Sequence, residues 1–258
     1  MATHTQAKPA GTPTWVDLVS PDPEASRDFY KAIFGWEYDI GGPEFGGYAT
    51  AKKGQWNTAG IGGQMPGAPS DQPAMWQLYF ASDDMKADVA KAEKLGAKTL
   101  FPPMEVGTFG GMVGLADPTG AEFNFWKAGS HIGSQLVNEP GSTAWFELYT
   151  PDAKKARDFY MGLLGDSADP MPGGLEYYVL KRGDDMQAGI MQIDPSWGNM
   201  QPFWSIYFAV ANTDETVAAI LKHGGKIQGN IDDSPFGRMA AVVDPHGANF
   251  KVIQPPAR

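Results

Sequence analysis

The apolar run at 15–19 carries a single acid, Trp-Val-Asp-Leu-Val, and reads as a strand bounded by polar residues. Asp22 then caps a helix, with Pro23 at its first position and Gly35 just past its end. Phe29, Tyr30, Ile33 and Phe34 recur at helical spacing and give that helix one apolar face. Glycine-punctuated strands follow near 48–51 and 59–64, before the scheme restarts with a strand at 76–81 and a helix over about 84–95, stopped by Gly96. Strands near 98–100, 111–116 and 122–126 complete the pattern.

The whole pattern is then written again. Trp15-Val16-Asp17-Leu18 returns as Trp145-Phe146-Glu147-Leu148, and Arg27-Asp28-Phe29-Tyr30 as Arg157-Asp158-Phe159-Tyr160. Tyr48 matches Tyr177, Ala59-Gly60-Ile61 matches Ala188-Gly189-Ile190, and Trp76 and Tyr79 match Trp204 and Tyr207. Asp117-Pro118-Thr119-Gly120 matches Asp244-Pro245-His246-Gly247. A repeat this long defines two modules, 12–128 and 142–256, joined by a linker at 129–141. Helices near 153–164 and 214–223 fill the second module, so the expected fold is α+β, with a βαβββ unit written four times.

Composition narrows the function. The 32 glycines and 21 prolines imply many turns and short strands. A net charge of -10, with basic residues scattered, argues against a nucleic-acid partner or an anionic membrane surface. The chain has no cysteine, which removes disulfides, thiolate metal sites and a cysteine nucleophile together. The polar opening residues and the lack of a long apolar run suggest a cytoplasmic protein.

Asp22-Pro23-Glu24 with Phe29-Tyr30, the Asp-Pro-x-Gly turns and their recurrence in module two resemble the glyoxalase / bleomycin resistance protein / extradiol dioxygenase superfamily, the vicinal oxygen chelate fold. The resemblance implies that two βαβββ units per module curl into a cup, with helices outside and a ligand site inside. It also implies that the two modules pack as an intrachain pseudo-dimer. In metal-using relatives four strand positions per site carry His, Glu or Gln. Counting from the shared motifs puts Trp15 and Asn124 at two of them in module one, and Trp145 and Lys251 in module two. The inner positions fall near Ala59 and Gln77, and near Ala188 and Ser205. Such residues offer no convergent set for a first-row cation, so neither metal nor another cofactor is expected. An all-carboxylate site stays open as an alternative. His4, His131, His223 and His246 all lie off the expected cup strands, where a structural or solvated role is the better reading.

Strand alternation selects what lines the cups. With Trp15 inward, Asp17 follows it, and Gln77, Tyr79, Glu122 and Asn124 join them. Module two offers Trp145, Glu147, Ser205, Tyr207, Asn249 and Lys251. Aromatic walls with few polar groups suit a small, largely apolar or aromatic molecule. Asp17 and Glu147 are the candidate bases, against a structural alternative in which Glu147 simply pairs with Lys251. Three functions remain: a binding protein with metal-free cups, a metal-independent lyase, isomerase or hydroxylase-like enzyme using those acids, and a divalent-metal enzyme of glyoxalase or dioxygenase type.

Overall fold

A computed structural model describes residues 2–64, 69, 71–174 and 176–256. After a two-residue β1 (Ala2–Thr3), module one comprises β2 (Pro13–Ser20), α1 (Pro23–Phe34), β3 (Glu37–Ile40), β4 (Ala49–Lys53) and β5 (Trp56–Gly63). Its second unit is β6 (Met75–Ala81), α2 (Met85–Lys94), β7 (Lys98–Val106), β8 (Gly110–Ala116) and β9 (Glu122–Ala128). A short β10 (Leu136–Val137) leads to module two: β11 (Thr143–Thr150), α3 (Ala153–Leu164), β12 (Ser167–Pro170), β13 (Tyr177–Arg182) and β14 (Asp185–Gln192). There follow β15 (Phe203–Ala209), α4 (Thr213–Lys222), β16 (Lys226–Ser234), β17 (Gly237–Val243) and β18 (Asn249–Gln254).

Each module builds its own sheet. Module one is ordered β3-β4-β5-β2-β6-β9-β8-β7, and module two repeats this as β12-β13-β14-β11-β15-β18-β17-β16, extended by β10 and β1. The first strand of each module therefore lies at the sheet centre, flanked by a parallel and an antiparallel neighbour. Each cup is thus built within one module.

The caps follow the sequence: Asp22 accepts from the Ala25 amide and Asp152 from the Lys155 amide, while Gly35 and Gly165 end their helices in the left-handed region. β3 and β12 carry no alternation in the sequence, because both are mostly exposed four-residue strands with no buried face to impose it.

Burial separates the two faces of each central strand. Val16 and Leu18 join Phe29, Tyr30, Phe34, Phe123 and Phe125 in a core that continues into module two, whereas Trp15, Tyr79 and Trp126 form a separate aromatic cluster on the cup side. The two family motifs meet across the module boundary. Tyr30 donates to Asp244 Oδ2 at 3.1 Å, and Tyr160 donates to Asp117 Oδ2, also at 3.1 Å. Each tyrosine oxygen also accepts an indole N–H, from Trp76 and Trp204 respectively. The other oxygen of each aspartate takes turn amides, His246 and Ala248 on Asp244 and Thr119 and Ala121 on Asp117. Tyr30→Phe removes a buried donor from a carboxyl group and is expected to cost about 1–3 kcal/mol, read as a lower urea midpoint. An unchanged midpoint would mean that this bond contributes nothing.

Candidate functional site

Cup one centres on Asp17. Its neighbours across the sheet are Gln77 on β6 and Gly60 on β5. The carboxyl is buried, with Oδ2 accepting from Tyr79 at 3.1 Å and from Tyr48 at 3.3 Å. Tyr48 in turn accepts the Trp15 indole N–H at 2.9 Å. Asp17 Oδ1 is buried with no partner. Burial pushes the Asp17 carboxyl up to about 7, against the opposing pull of the Tyr79 and Tyr48 hydrogen bonds. Among the described residues no cation offsets it, and Asn124 occupies the β9 position beside Tyr79, donating to Gln77 and to the Leu78 carbonyl.

Gly60 makes this arrangement possible. A methyl group there would overlap the Tyr48 hydroxyl and press on the Asp17 side chain, and Gly189 stands in the same relation to Tyr177. Neither glycine has a positive φ, so the requirement is close approach rather than backbone freedom. Gly60→Ala is expected to displace the Tyr48 ring from Asp17 and lower stability by about 1–3 kcal/mol in thermal unfolding. A wild-type melting curve would show that the ring does not cross β5 at this point.

Cup two holds the equivalent acid in a different electrostatic state. Glu147 Oε2 accepts from Tyr207 at 2.6 Å and from Lys251 Nζ at 3.0 Å. Lys251 also donates to the Tyr149 and Tyr207 hydroxyls at 2.5 and 2.6 Å, so its three donors are all used. Burial pushes the Glu147 carboxyl up, but Lys251 and the hydroxyl donors outweigh it and hold it below its ordinary value. Tyr149 stacks on Phe203 at 5.1 Å, and Trp145 donates to Tyr177 at 3.2 Å. Cup two is therefore saturated, while cup one retains an open acceptor.

The remaining expected residues divide. Ser205 is buried directly across from Glu147. Glu122 is exposed at the start of β9, opposite Ala116. Asn249 is also exposed, accepting from Gln228 at 2.8 Å. Ala59 and Ala188, expected near inner ligand positions, belong to the core, and the strand positions facing the acids are Gly60 and Gly189.

Three residues of the candidate sites lie outside the inward-facing set expected from strand alternation. Tyr48 and Tyr177 were visible as a repeated pair, each facing a repeated glycine, which was a usable signal. His131 gave none, because it lies in the linker and has no counterpart in the repeat. Its ring meets Trp15 edge-on at 4.3 Å and Trp126 at 5.4 Å.

Among the described residues, no three His, Cys, Asp or Glu side chains group as metal ligands. Asp17 stands among Trp15, Tyr48 and Tyr79, and Glu147 is already neutralised by an ammonium group. These donor sets do not fit a divalent cation. No helix among the described residues is long and apolar enough to cross a membrane.

Residues 14–126 match the glyoxalase-like domain, and residues 142–252 match the Glyoxalase/Bleomycin resistance protein/Dioxygenase superfamily. The chain is 38% identical over 250 residues to the Mycobacterium tuberculosis protein named "Putative glyoxylase CFP32", covering 95% of both chains. It is 37% identical over 257 residues to the "Anthracycline biosynthesis protein DnrV" of Streptomyces peucetius, covering 95% of this chain and 93% of that one. The Mn(II)-bound glyoxalase of Novosphingobium aromaticivorans shares the fold at a TM-score of 0.64 and 16% identity, over 94% of this chain and 82% of the other. The 2,3-dioxygenase LapB of Pseudomonas sp. KL28 does so at a TM-score of 0.65 and 12% identity, over 97% and 93%. At those identities the two structures speak for the fold alone. With two modules in tandem and relatives alike over nearly its whole length, the chain belongs to the glyoxalase/bleomycin resistance protein/dioxygenase superfamily.

Proposed function

We propose that the protein binds a small, planar, largely apolar molecule in cup one without a resident metal, and that Asp17 accepts a hydrogen bond from it. The observation that carries this reading is the partnerless, buried Asp17 Oδ1 beside the Trp15, Tyr79 and Trp126 wall. A buried acceptor of this kind costs stability unless something fills its valence. A relative named for anthracycline biosynthesis makes a hydroxylated polycyclic aromatic a reasonable ligand class.

Alizarin, a planar hydroxyanthraquinone, is a suitable probe for tryptophan-fluorescence titration. Saturable binding is expected, weakened at least about tenfold by Asp17→Asn and little changed by Trp145→Phe in cup two. Elemental analysis of protein purified without a chelating column, before and after soaking in Mn²⁺, is expected to find well under one ion per chain. One tightly held ion would overturn the metal-free reading.

A second reading, a metal-independent lyase, isomerase or hydroxylase-like enzyme with Asp17 as base, is favoured by the unpartnered Oδ1 of that buried carboxyl. Burial sets the carboxyl near 7, where it can take and return a proton. That reading requires Asp17→Asn to keep ligand affinity and lose turnover, the reverse of the binding-protein result.

A further inference from the structure

Three buried side-chain atoms among the described residues have no hydrogen-bond partner: Asp17 Oδ1, His131 Nε2 and Asp166 Oδ2. Asp166 is ion-paired with Arg182 through its other oxygen. The other two both belong to cup one, with Trp15 touching the His131 ring and lying two residues from Asp17 on the same face of β2. Two open valences on the same aromatic wall are hard to explain by packing alone, because buried polar groups are normally paired.

His131 does not dangle over the rim. Its amide donates to the Phe109 carbonyl at 3.0 Å, and its carbonyl accepts the Trp126 indole at 2.9 Å. Its neighbours are pinned as well: Gly129 to Phe109, Ser130 to Thr108, and Ser134 to Thr14 and Thr58. Gly129 lies so close to the Thr108 and Phe109 carbonyls that a Cβ would collide with them. The linker thus holds the imidazole in a fixed place, as a binding group requires. Burial pushes the His131 imidazole down to about 4, so the ring is neutral at physiological pH. A neutral Nε2 either accepts from a hydroxyl or donates to a carbonyl oxygen.

We infer that His131, supplied by the linker rather than by either module's strands, is the second polar anchor of the cup-one site, and that the ligand is a planar aromatic bearing a hydroxyl for Asp17 and a second ring oxygen for His131. The inference rests on the cup-one reading proposed above and adds its substrate class. It also explains why one cup is equipped and the other is not: the equivalent acid in cup two already has its cation and hydroxyls.

The test compares alizarin with anthracene, which has the same ring outline and no oxygen, on the wild type, His131→Phe and His131→Gln. His131→Phe preserves ring packing against Trp15 and Trp126, and thermal unfolding checks that it folds. The expected result is an alizarin affinity about tenfold weaker in His131→Phe, largely restored in His131→Gln, with anthracene unaffected. Wild-type alizarin affinity in His131→Phe, alongside a loss in Asp17→Asn, would overturn the inference and leave the cup-one reading standing. Tighter binding of both probes by His131→Phe would also overturn it, making the imidazole an obstruction. Failure of the wild type to bind either probe would remove the cup-one reading and this inference with it.

Discussion

Lys251→Met is expected to destabilise the protein by about 3–5 kcal/mol at neutral pH, the usual cost of stranding one member of a buried ion pair. Glu147 is buried, and its Oε2 is shared by Tyr207 and Lys251. Removing the ammonium leaves a carboxylate in a site with only hydroxyl donors, while the methionine side chain still fills the aliphatic path of the lysine. The double variant Lys251→Met/Glu147→Gln removes both charges and keeps an acceptor for Tyr207. It is expected to recover to within about 1–2 kcal/mol of the wild type, because a neutral pair pays no ionic desolvation. Urea unfolding of the four proteins forms a double-mutant cycle that isolates the pair. The pH dependence has a definite sign. Glu147 is held below its ordinary value in the folded protein, so its contribution is present above the unfolded carboxyl range and lost as pH falls. The deficit of Lys251→Met should therefore be largest at neutral pH and shrink in acid, where the stranded carboxylate can protonate. A single variant within about 0.5 kcal/mol of the wild type would mean that the ion pair is open to solvent.

That pair is legible in the sequence, because strand alternation puts Glu147 and Lys251 on one inward face. The repeat likewise exposed the modules, the helix caps and the inward set Trp15, Asp17, Tyr79 and Asn124, since a central strand packed on both sides has a fixed face for every residue. What stayed hidden depended on long-range approach rather than alternation. Tyr48 is marked in the sequence by its repeat as Tyr177, but its place is not, since it precedes β4 and reaches Asp17 by crossing Gly60, a long-range approach that strand alternation does not encode. His131 is set against Trp15 by linker hydrogen bonds to Thr108 and Phe109, about twenty residues earlier in the chain, and it lies in a segment with no counterpart in the repeat. Glu122 and Asn249 show the converse error. Their strand parity was sound, yet both are exposed, because parity fixes a face and not a depth. The tyrosines of the Phe-Tyr motifs read as core residues, and only the assembled chain shows them bonding to the turn aspartates of the opposite module.

Asp17→Asn is expected to reverse sign with pH: less stable than the wild type near pH 4 and more stable at pH 8. Burial pushes the folded carboxyl up to about 7 from its ordinary value of 3.8. At about 1.4 kcal/mol per unit this corresponds to roughly 4 kcal/mol. Because the folded value is the higher one, the unfolded chain releases its proton first. Wild-type stability attributable to Asp17 therefore falls as pH rises from about 4 to 7, and levels off above. Asparagine keeps an oxygen for the Tyr79 and Tyr48 hydroxyls but places an unpaired NH₂ where Oδ1 stood, a cost of about 1–3 kcal/mol at every pH. The difference between the two unfolding curves, taken across this window, isolates the residue from other titrating groups. A net gain of about 1–3 kcal/mol at pH 8 is the expected balance, and a difference that does not change with pH would show that Asp17 is solvated. The comparison also bears on function. The same position in module two carries an acid neutralised by lysine, so the fold readily accommodates a satisfied version of this site. Under the proposed binding role, the unpaired acid of cup one costs stability that a hydrogen-bond donor on the ligand would restore. The stability gained by Asp17→Asn at pH 8 should therefore be accompanied by weaker alizarin binding in the same preparation, and a variant that gained both would show that the carboxylate has no ligand to serve.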